Sequence, residues 1–248
     1  MSEEHRVIRE NGSAAIPIVA LDVNSGDAAL QLARSLQGRC TFFKVGSELF
    51  TAAGPQVVQM LRDELGAEVF LDLKFHDIPN TVAGAVRSAV HLGVRLLTVH
   101  ASGGAAMLSA ARAAAGEACG VLAVTVLTSF DPQTLATAWG RSDTVSSERE
   151  VLRLAGLAAE AGLHGIVCSG AEAAAVRARF ADRLALLVPG IRLAGGEAHD
   201  QRRVMTPAAA QAAGARYLIL GRAVTAAADP AAAMDRVLAE LRDASSAR

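Results

Sequence analysis

Residues 68–81 read Glu68-Val69-Phe70-Leu71-Asp72-Leu73-Lys74-Phe75-His76-Asp77-Ile78-Pro79-Asn80-Thr81. The stretch begins as an apolar run, turns charged at its end, and meets a proline that suits the first turn of a helix. A strand that runs straight into a helix start is half of a parallel βα unit. Working outward, the same unit recurs. Apolar runs stand at 16–22 (IPIVALD), 40–46 (CTFFKVG), 95–101 (RLLTVHA) and 121–127 (VLAVTVL). Three more follow at 164–170 (HGIVCSG), 184–190 (LALLVPG) and 216–222 (RYLILGR). Between them lie Ala- and Leu-rich amphipathic segments such as 27–37, 54–65 and 148–162, and Gly66, Gly93 and Gly162 follow helical runs.

Nearly continuous apolar strands mark a parallel sheet covered on its outer face. Eight such units of roughly thirty residues predict an α/β fold, a single-domain (β/α)8 TIM barrel, rather than an open doubly wound sheet. The dinucleotide glycine fingerprint is missing after the first run, where LDVNSGDA stands instead. No linker or composition shift marks a second domain. The expected organisation is a polar N-terminal arm over 1–14 and a catalytic barrel over 15–248. Two connections are long, 128–147 after the fifth strand and 191–206 after the seventh. Both leave strand C-termini, the face on which barrel enzymes build their sites. The second is expected to act as a lid.

The chain has 248 residues, 52% of them apolar, and 24 basic residues balance 25 acidic ones. Without a basic tract or aromatic interleaving, nucleic acid is not expected as a partner. The N-terminus has no apolar signal region, and no uncharged apolar run is long enough to cross a bilayer. Cys40, Cys119 and Cys168 are far apart and suit small core positions in a reducing compartment. A cytoplasmic protein that engages no membrane is expected.

Side chains two apart on a strand share a face, so Asp72 and Lys74 both point into the barrel mouth. Asp77 lies in the turn beyond, Asp22 closes the first strand and Lys44 nears the end of the second. Each has a structural alternative. Asp77 could cap a helix near Pro79, Asp72 and Lys74 could be a plain ion pair, Lys44 could snorkel to solvent, and Asp22 could cap its loop. The meeting of all these charges at strand C-termini favours a site. Opposite charges 4 Å apart attract by roughly 4 kcal/mol at an effective dielectric near 20, enough to keep Lys74 an ammonium in a partly dry cavity.

A second group lies near the C-terminus. Gly190 and Arg192 follow the seventh strand, Gln201 sits in its long loop, and Gly221-Arg222 follows the eighth. Loops after strands seven and eight of barrels often grip phosphate, with glycine admitting backbone N–H groups and arginine supplying a forked donor. Turn and helix-end roles are the alternative for the two glycines taken alone. Thr128, ending the fifth strand, could meet a polar substrate edge or merely cap its loop. His76 reads as a spacer or support, and His100 as a structural histidine. No histidine has metal-ligand spacing, and no metal site is expected.

These residues together resemble the orotidine 5′-phosphate decarboxylases in their bacterial form. The likeness runs through LDV at 21–23, FKVG at 43–46, DLKFHDIPNT at 72–81, VTVLTS at 124–129, PGIR at 189–192 and LGRAV at 220–224. It covers the chain from Ile16 onward, in order, and the ten-residue motif is the specific part. The resemblance implies decarboxylation of orotidine 5′-monophosphate to uridine 5′-monophosphate in de novo pyrimidine synthesis. It implies a barrel homodimer with shared active sites and neither metal nor organic cofactor. Lys74 would then protonate carbon 6, Asp72 would sit beside the departing carboxylate, and Asp77 would reach the neighbouring subunit's site. Lys44 would complete the charge network and bind ribose with Asp22, and Thr81 would be a ribose-side contact. Thr128 would read the pyrimidine edge, while Arg192, Gln201, Gly221 and Arg222 would hold the phosphate.

The alternative is a magnesium-dependent sugar-phosphate decarboxylase or aldolase of the same barrel superfamily, which shares a D-x-K-x-x-D motif. Those enzymes draw an acidic metal ligand from the end of the second strand, where Lys44 stands here. A non-catalytic phosphate sensor is the other alternative, and it would be expected to lack Lys74 or one of the acids.

Overall fold

Every apolar run named above carries a strand: β1 (Ile16–Ala20), β2 (Phe42–Gly46), β3 (Glu68–Phe75) and β4 (Leu96–His100). They continue as β5 (Gly120–Val124), β6 (Gly165–Val167), β7 (Ala185–Val188) and β8 (Tyr217–Leu220). The computed structural model describes residues 14–141, 145–193 and 205–246. Nearly all of the expected N-terminal arm, the middle of the expected lid and Gln201 lie outside the described residues. All eight strands pair in parallel with their sequence neighbours, and β8 returns to β1 through the register Ile16↔Tyr217 to Val19↔Leu220. The sheet is a closed barrel, as the strand count and the absence of a dinucleotide loop predict.

The helices on the outside are α1 (Gly26–Ser35), α2 (Ser47–Ala53), α3 (Gln56–Leu65), α4 (Pro79–His91), α5 (Gly104–Ala115) and α6 (Pro132–Ala138). After them come α7 (Ser147–Glu160), α8 (Gly170–Phe180), α9 (Pro207–Ala212), α10 (Arg222–Thr225) and α11 (Pro230–Ser246). Their starts follow local chemistry. Ser25, Asp131, Ser146 and Thr206 each accept a bond from a backbone N–H three residues on. Pro79, Pro132 and Pro207 occupy first turns, where no N–H is needed. Helix α6 adds an element that the sequence reading did not name, since it lies within the long connection over 128–147. The Asp131-Pro132 pair that starts it is a helix signal that the length of the connection obscured.

The core has two layers. Val19, Phe43, Val45, Val69 and Leu71 face outward against the helices, whereas Ile18, Ala20, Phe42, Phe70, Leu96, Leu122 and Leu187 fill the barrel interior. Period-2 alternation therefore sets which face each later residue takes. Cys40, Cys119 and Cys168 are buried free thiols, and burial pushes the latter two up to about 12.

The bottom of the barrel holds a part-buried titrating group. His164 precedes β6, its Nε2 lies 2.9 Å from the Tyr217 hydroxyl, and desolvation followed by Arg95, Arg216 and Arg112 lowers its pKa to about 4. Unfolded histidine binds its proton near 6.5, so below that value protonation favours the unfolded chain. The stability tied to neutral His164 is complete above pH about 6.5 and is lost as pH falls toward 4, in total about 3 kcal/mol. Urea unfolding at pH 7 and pH 4.5 should show a smaller acid loss in His164→Asn than in the parent. Equal losses would reject this role for the imidazole.

Candidate active site

Alternation carries the interior layer upward into charge. Above Ile18 and Ala20 the next inward position of β1 is Asp22; above Phe42 on β2 it is Lys44; above Phe70 on β3 it is Asp72 and then Lys74. These side chains line a cavity of about 300 Å³ at the C-terminal mouth, floored by Ala20, Phe70, Val124, Val167, Leu187 and Ile219. Thr128, Pro189, Gly190, Arg192, Gly221 and Arg222 complete its walls. An apolar floor beneath fixed charges lowers the local dielectric and strengthens each electrostatic contact.

The charges form one chain of contacts. Lys44 Nζ donates to Asp22 Oδ1 at 2.8 Å and lies 3.9 Å from Asp72 Oδ2, which also accepts from Lys74 Nζ at 2.9 Å. Lys44 is 9% exposed, so it does not snorkel to solvent as the structural alternative would have it. The Asp22 side chain is 59% exposed and the Lys74 side chain 38%, so an anion and a cation of the network both face the opening. Gly46 makes room for the pair at its far end: a Cβ there would stand 2.8 Å from Lys44 Nζ and 3.5 Å from Asp22 Oδ1.

Strand β3 is irregular where the chemistry sits. Leu71 pairs with Leu97 but Phe75 with Val99, so four steps along β3 match two along β4. Lys74 takes a left-handed backbone with φ 53°. For a residue with a side chain that conformation costs of the order of 1–2 kcal/mol. The bulge takes the Lys74 N–H off the strand ladder, and Thr98 Oγ1 accepts it at 2.9 Å. The same hydroxyl donates to Asp72 Oδ1 at 3.0 Å. Thr98 is fully buried, and the sequence reading missed it. The available clue was a hydroxyl at an inward position of an otherwise apolar strand, Leu96-Leu97-Thr98-Val99.

On the side expected from the sequence to grip phosphate, Gly190 has φ 79°, a conformation that glycine adopts without a Cβ penalty. Beyond it Ile191 pairs with Met205, and Arg192 N donates to Met205 O at 2.9 Å, so the two ends of the expected lid are clipped together. Arg192 is buried at the cavity wall, while Arg222 is exposed at the start of α10. A Cβ at Gly221 would meet nothing within 4 Å, which leaves open space beside its backbone. His100 is half-buried with its ring centroid 5.4 Å from that of His76. Desolvation, then His76 and Lys74, lowers its pKa, so it adds no cation beside Lys74.

Asp77 and Thr81 do not line the cavity of their own chain. Both are exposed, and Asp77 Oδ1 accepts from the next residue's N–H at 2.6 Å instead of capping α4, whose N-cap is Ile78. Between them Ile78 is 67% exposed, an unusual position for a large apolar side chain.

The sequence profile described as Orotidine 5′-phosphate decarboxylase / HUMPS family matches residues 16–237. The chain belongs to this family. It is 52% identical over 228 residues to the orotidine 5′-phosphate decarboxylase of Halorhodospira halophila, spanning 90% of this chain and 94% of that protein. The enzyme of that name from Moorella thermoacetica is 50% identical over 232 residues, 90% of this chain and 91% of that protein. Among solved structures, the orotidine 5′-phosphate decarboxylase from Lactobacillus acidophilus superposes with a TM-score of 0.80 at 34% identity, over 92% of this chain and 99% of that one. The family also takes in the HUMPS branch, so membership alone leaves the reaction to be argued from the residues in the mouth. Here the second strand brings a lysine, which would repel a divalent cation. No group of three or more His, Cys, Asp or Glu suited to a metal ion occurs among the described residues.

Proposed function

We propose that the protein decarboxylates orotidine 5′-monophosphate to uridine 5′-monophosphate and CO₂, with Lys74 as the proton donor to carbon 6. The observation that carries the reading is Lys74 Nζ, 2.9 Å from Asp72 and facing the cavity above an apolar floor. When the bond from carbon 6 to the carboxylate breaks, its electron pair stays on carbon 6 and CO₂ departs. The pyrimidine offers that pair no easy sink. A cation already fixed beside it stabilises the developing charge without reorganising, and one N–H proton of Lys74 then passes to carbon 6. The neutral amine regains its proton from water. Lys44 and Asp72 hold the donor in place, and Asp22 with Lys44 takes the ribose hydroxyls. Thr128 meets the pyrimidine edge.

Arg192, Gly221 and Arg222 hold the phosphate, and Gln201, outside the described residues, belongs to the same grip. Binding energy from this remote group positions the ring over Lys74. Asp77 and Thr81, exposed and outside their own chain's cavity, serve the cavity of a second copy, and Ile78 beside them is buried by that contact. The working form is thus a homodimer with shared sites. No described helix is long and apolar enough to cross a membrane, and three buried free thiols suit a reducing cytoplasm.

Loss of orotidine 5′-monophosphate absorbance, unchanged by EDTA, is the expected assay result; activity abolished by chelator and restored by Mg²⁺ would favour the sugar-phosphate branch. Mixing inactive Lys74→Ala and Asp77→Ala chains should restore about a quarter of parent activity, since half the dimers carry one intact site. No recovery after subunit exchange would reject the shared site.

A further inference from the structure

We infer that Thr98 is a positioning residue for the proton donor, fixing both the backbone and the ammonium of Lys74 through one hydroxyl. The inference rests on the reading of Lys74 given above. Its basis is a closed ring of hydrogen bonds. Lys74 N donates to Thr98 Oγ1 at 2.9 Å, Thr98 Oγ1 donates to Asp72 Oδ1 at 3.0 Å, and Asp72 Oδ2 accepts from Lys74 Nζ at 2.9 Å. The hydroxyl has one proton and uses it on the carboxylate, so it can only accept from the backbone N–H. Its direction is thereby fixed at both ends.

The ring solves two problems that the fold creates at this point. First, the bulge at Lys74 takes its N–H off the β4 ladder and leaves a left-handed backbone at φ 53°. A buried N–H without a partner is costly, and a strained conformation persists only where its surroundings over-determine it. Thr98 replaces the lost ladder partner from the neighbouring strand. Second, Asp72 attracts two ammonium groups, Lys74 at 2.9 Å and Lys44 at 3.9 Å, both through Oδ2. The bond to Oδ1 sets the carboxylate plane and so decides where Oδ2 points. Thr98 is fully buried, so water does not compete for either bond. It lies behind the pair rather than in the cavity lining, so it acts through Lys74 and Asp72.

The strand pattern supports the assignment. Thr98 occupies the inward position after Leu96, which belongs to the barrel-interior cluster. Packing alone would be served there by valine, which has the same shape without the hydroxyl. A valine would leave the Lys74 N–H and Asp72 Oδ1 each short of a buried bond.

The test compares Thr98→Val, Thr98→Ser and the parent by kcat, KM and affinity for uridine 5′-monophosphate. Thr98→Val should lower kcat by roughly ten- to a hundredfold, as expected for one buried bond lost to a charged group. Product affinity should stay within about threefold, because ribose and phosphate contacts are untouched. Thr98→Ser, which keeps the hydroxyl, should recover most of the lost kcat. A valine variant with parent kcat overturns the inference, and so does a serine variant as slow as the valine one. Loss of product affinity in step with kcat overturns it as well, since that pattern means general disorder of the mouth. If Thr98→Val does not fold, Thr98→Ala is judged by the same split. The outcome is separable from the reading of Lys74: an inactive Lys74→Ala with an unaffected Thr98→Val removes Thr98 alone.

Discussion

Lys74→Ala should fold, bind uridine 5′-monophosphate within about fivefold of the parent, and turn over at least about 10⁴-fold more slowly. The split follows from position. Lys74 Nζ contacts Asp72, while Arg192 and Arg222, proposed to hold phosphate, follow β7 and β8 across the mouth. On the proposed reaction, removing the ammonium spares the groups assigned to ribose and phosphate and removes two things that would act on carbon 6. One is the fixed positive charge facing the developing carbanion; the other is the proton that quenches it. Mutational losses for a general acid and for an oriented electrostatic donor each run to several hundredfold or more, and the proposal gives both roles to one residue. Product affinity by calorimetry and turnover by absorbance measure the two halves separately. Turnover within about tenfold of the parent would end the case for Lys74 as donor.

For Asp72→Asn we expect kcat to fall by about 10³-fold while KM for orotidine 5′-monophosphate stays within a few-fold of the parent. Asp72 sits between Lys44 and Lys74, accepts from Thr98, and has a side chain only 15% exposed. Asparagine keeps its shape but leaves two ammonium groups near each other without the anion between them. Lys44 retains Asp22 at 2.8 Å, whereas no second carboxylate among the described residues pairs with Lys74, which loses its aim. The competing account makes Asp72 a source of repulsion against the substrate carboxylate, so that its charge strains the bound ground state. Its signature would be a substrate that binds more tightly as kcat falls. The structure favours placement over repulsion, because two cations and a hydroxyl already engage this carboxylate. A KM that drops together with kcat would reverse that judgement.

Much of this site was legible before any coordinates. The eight apolar runs each carry a strand, and Pro79 starts α4 as its ring chemistry requires. Asp22, Lys44, Asp72 and Lys74 do meet at one opening, because period-2 alternation fixes their face once the strands are placed. Lys44 shows why such arguments hold: an amine at an inward position of a buried strand must either find carboxylates or not be there. Helix α6 is announced only by Asp131-Pro132, a signal carried by two residues inside a long connection.

The sequence by itself determined the repeated βα unit, the closed sheet, and which charges face the mouth, because each depends on local period, local turn chemistry and strand count. Tertiary structure alone decided the bulge in β3, the left-handed Lys74 and the hydroxyl that holds it, since these depend on register against β4. Register across strands is set by packing among residues far apart in the chain, and no window of neighbouring residues encodes it. The exposed Asp77, Ile78 and Thr81 mark the same boundary from the other side. Their place within or beside the specific motif is written in the sequence, whereas their position outside the lining of the mouth cavity appears only once the barrel has closed.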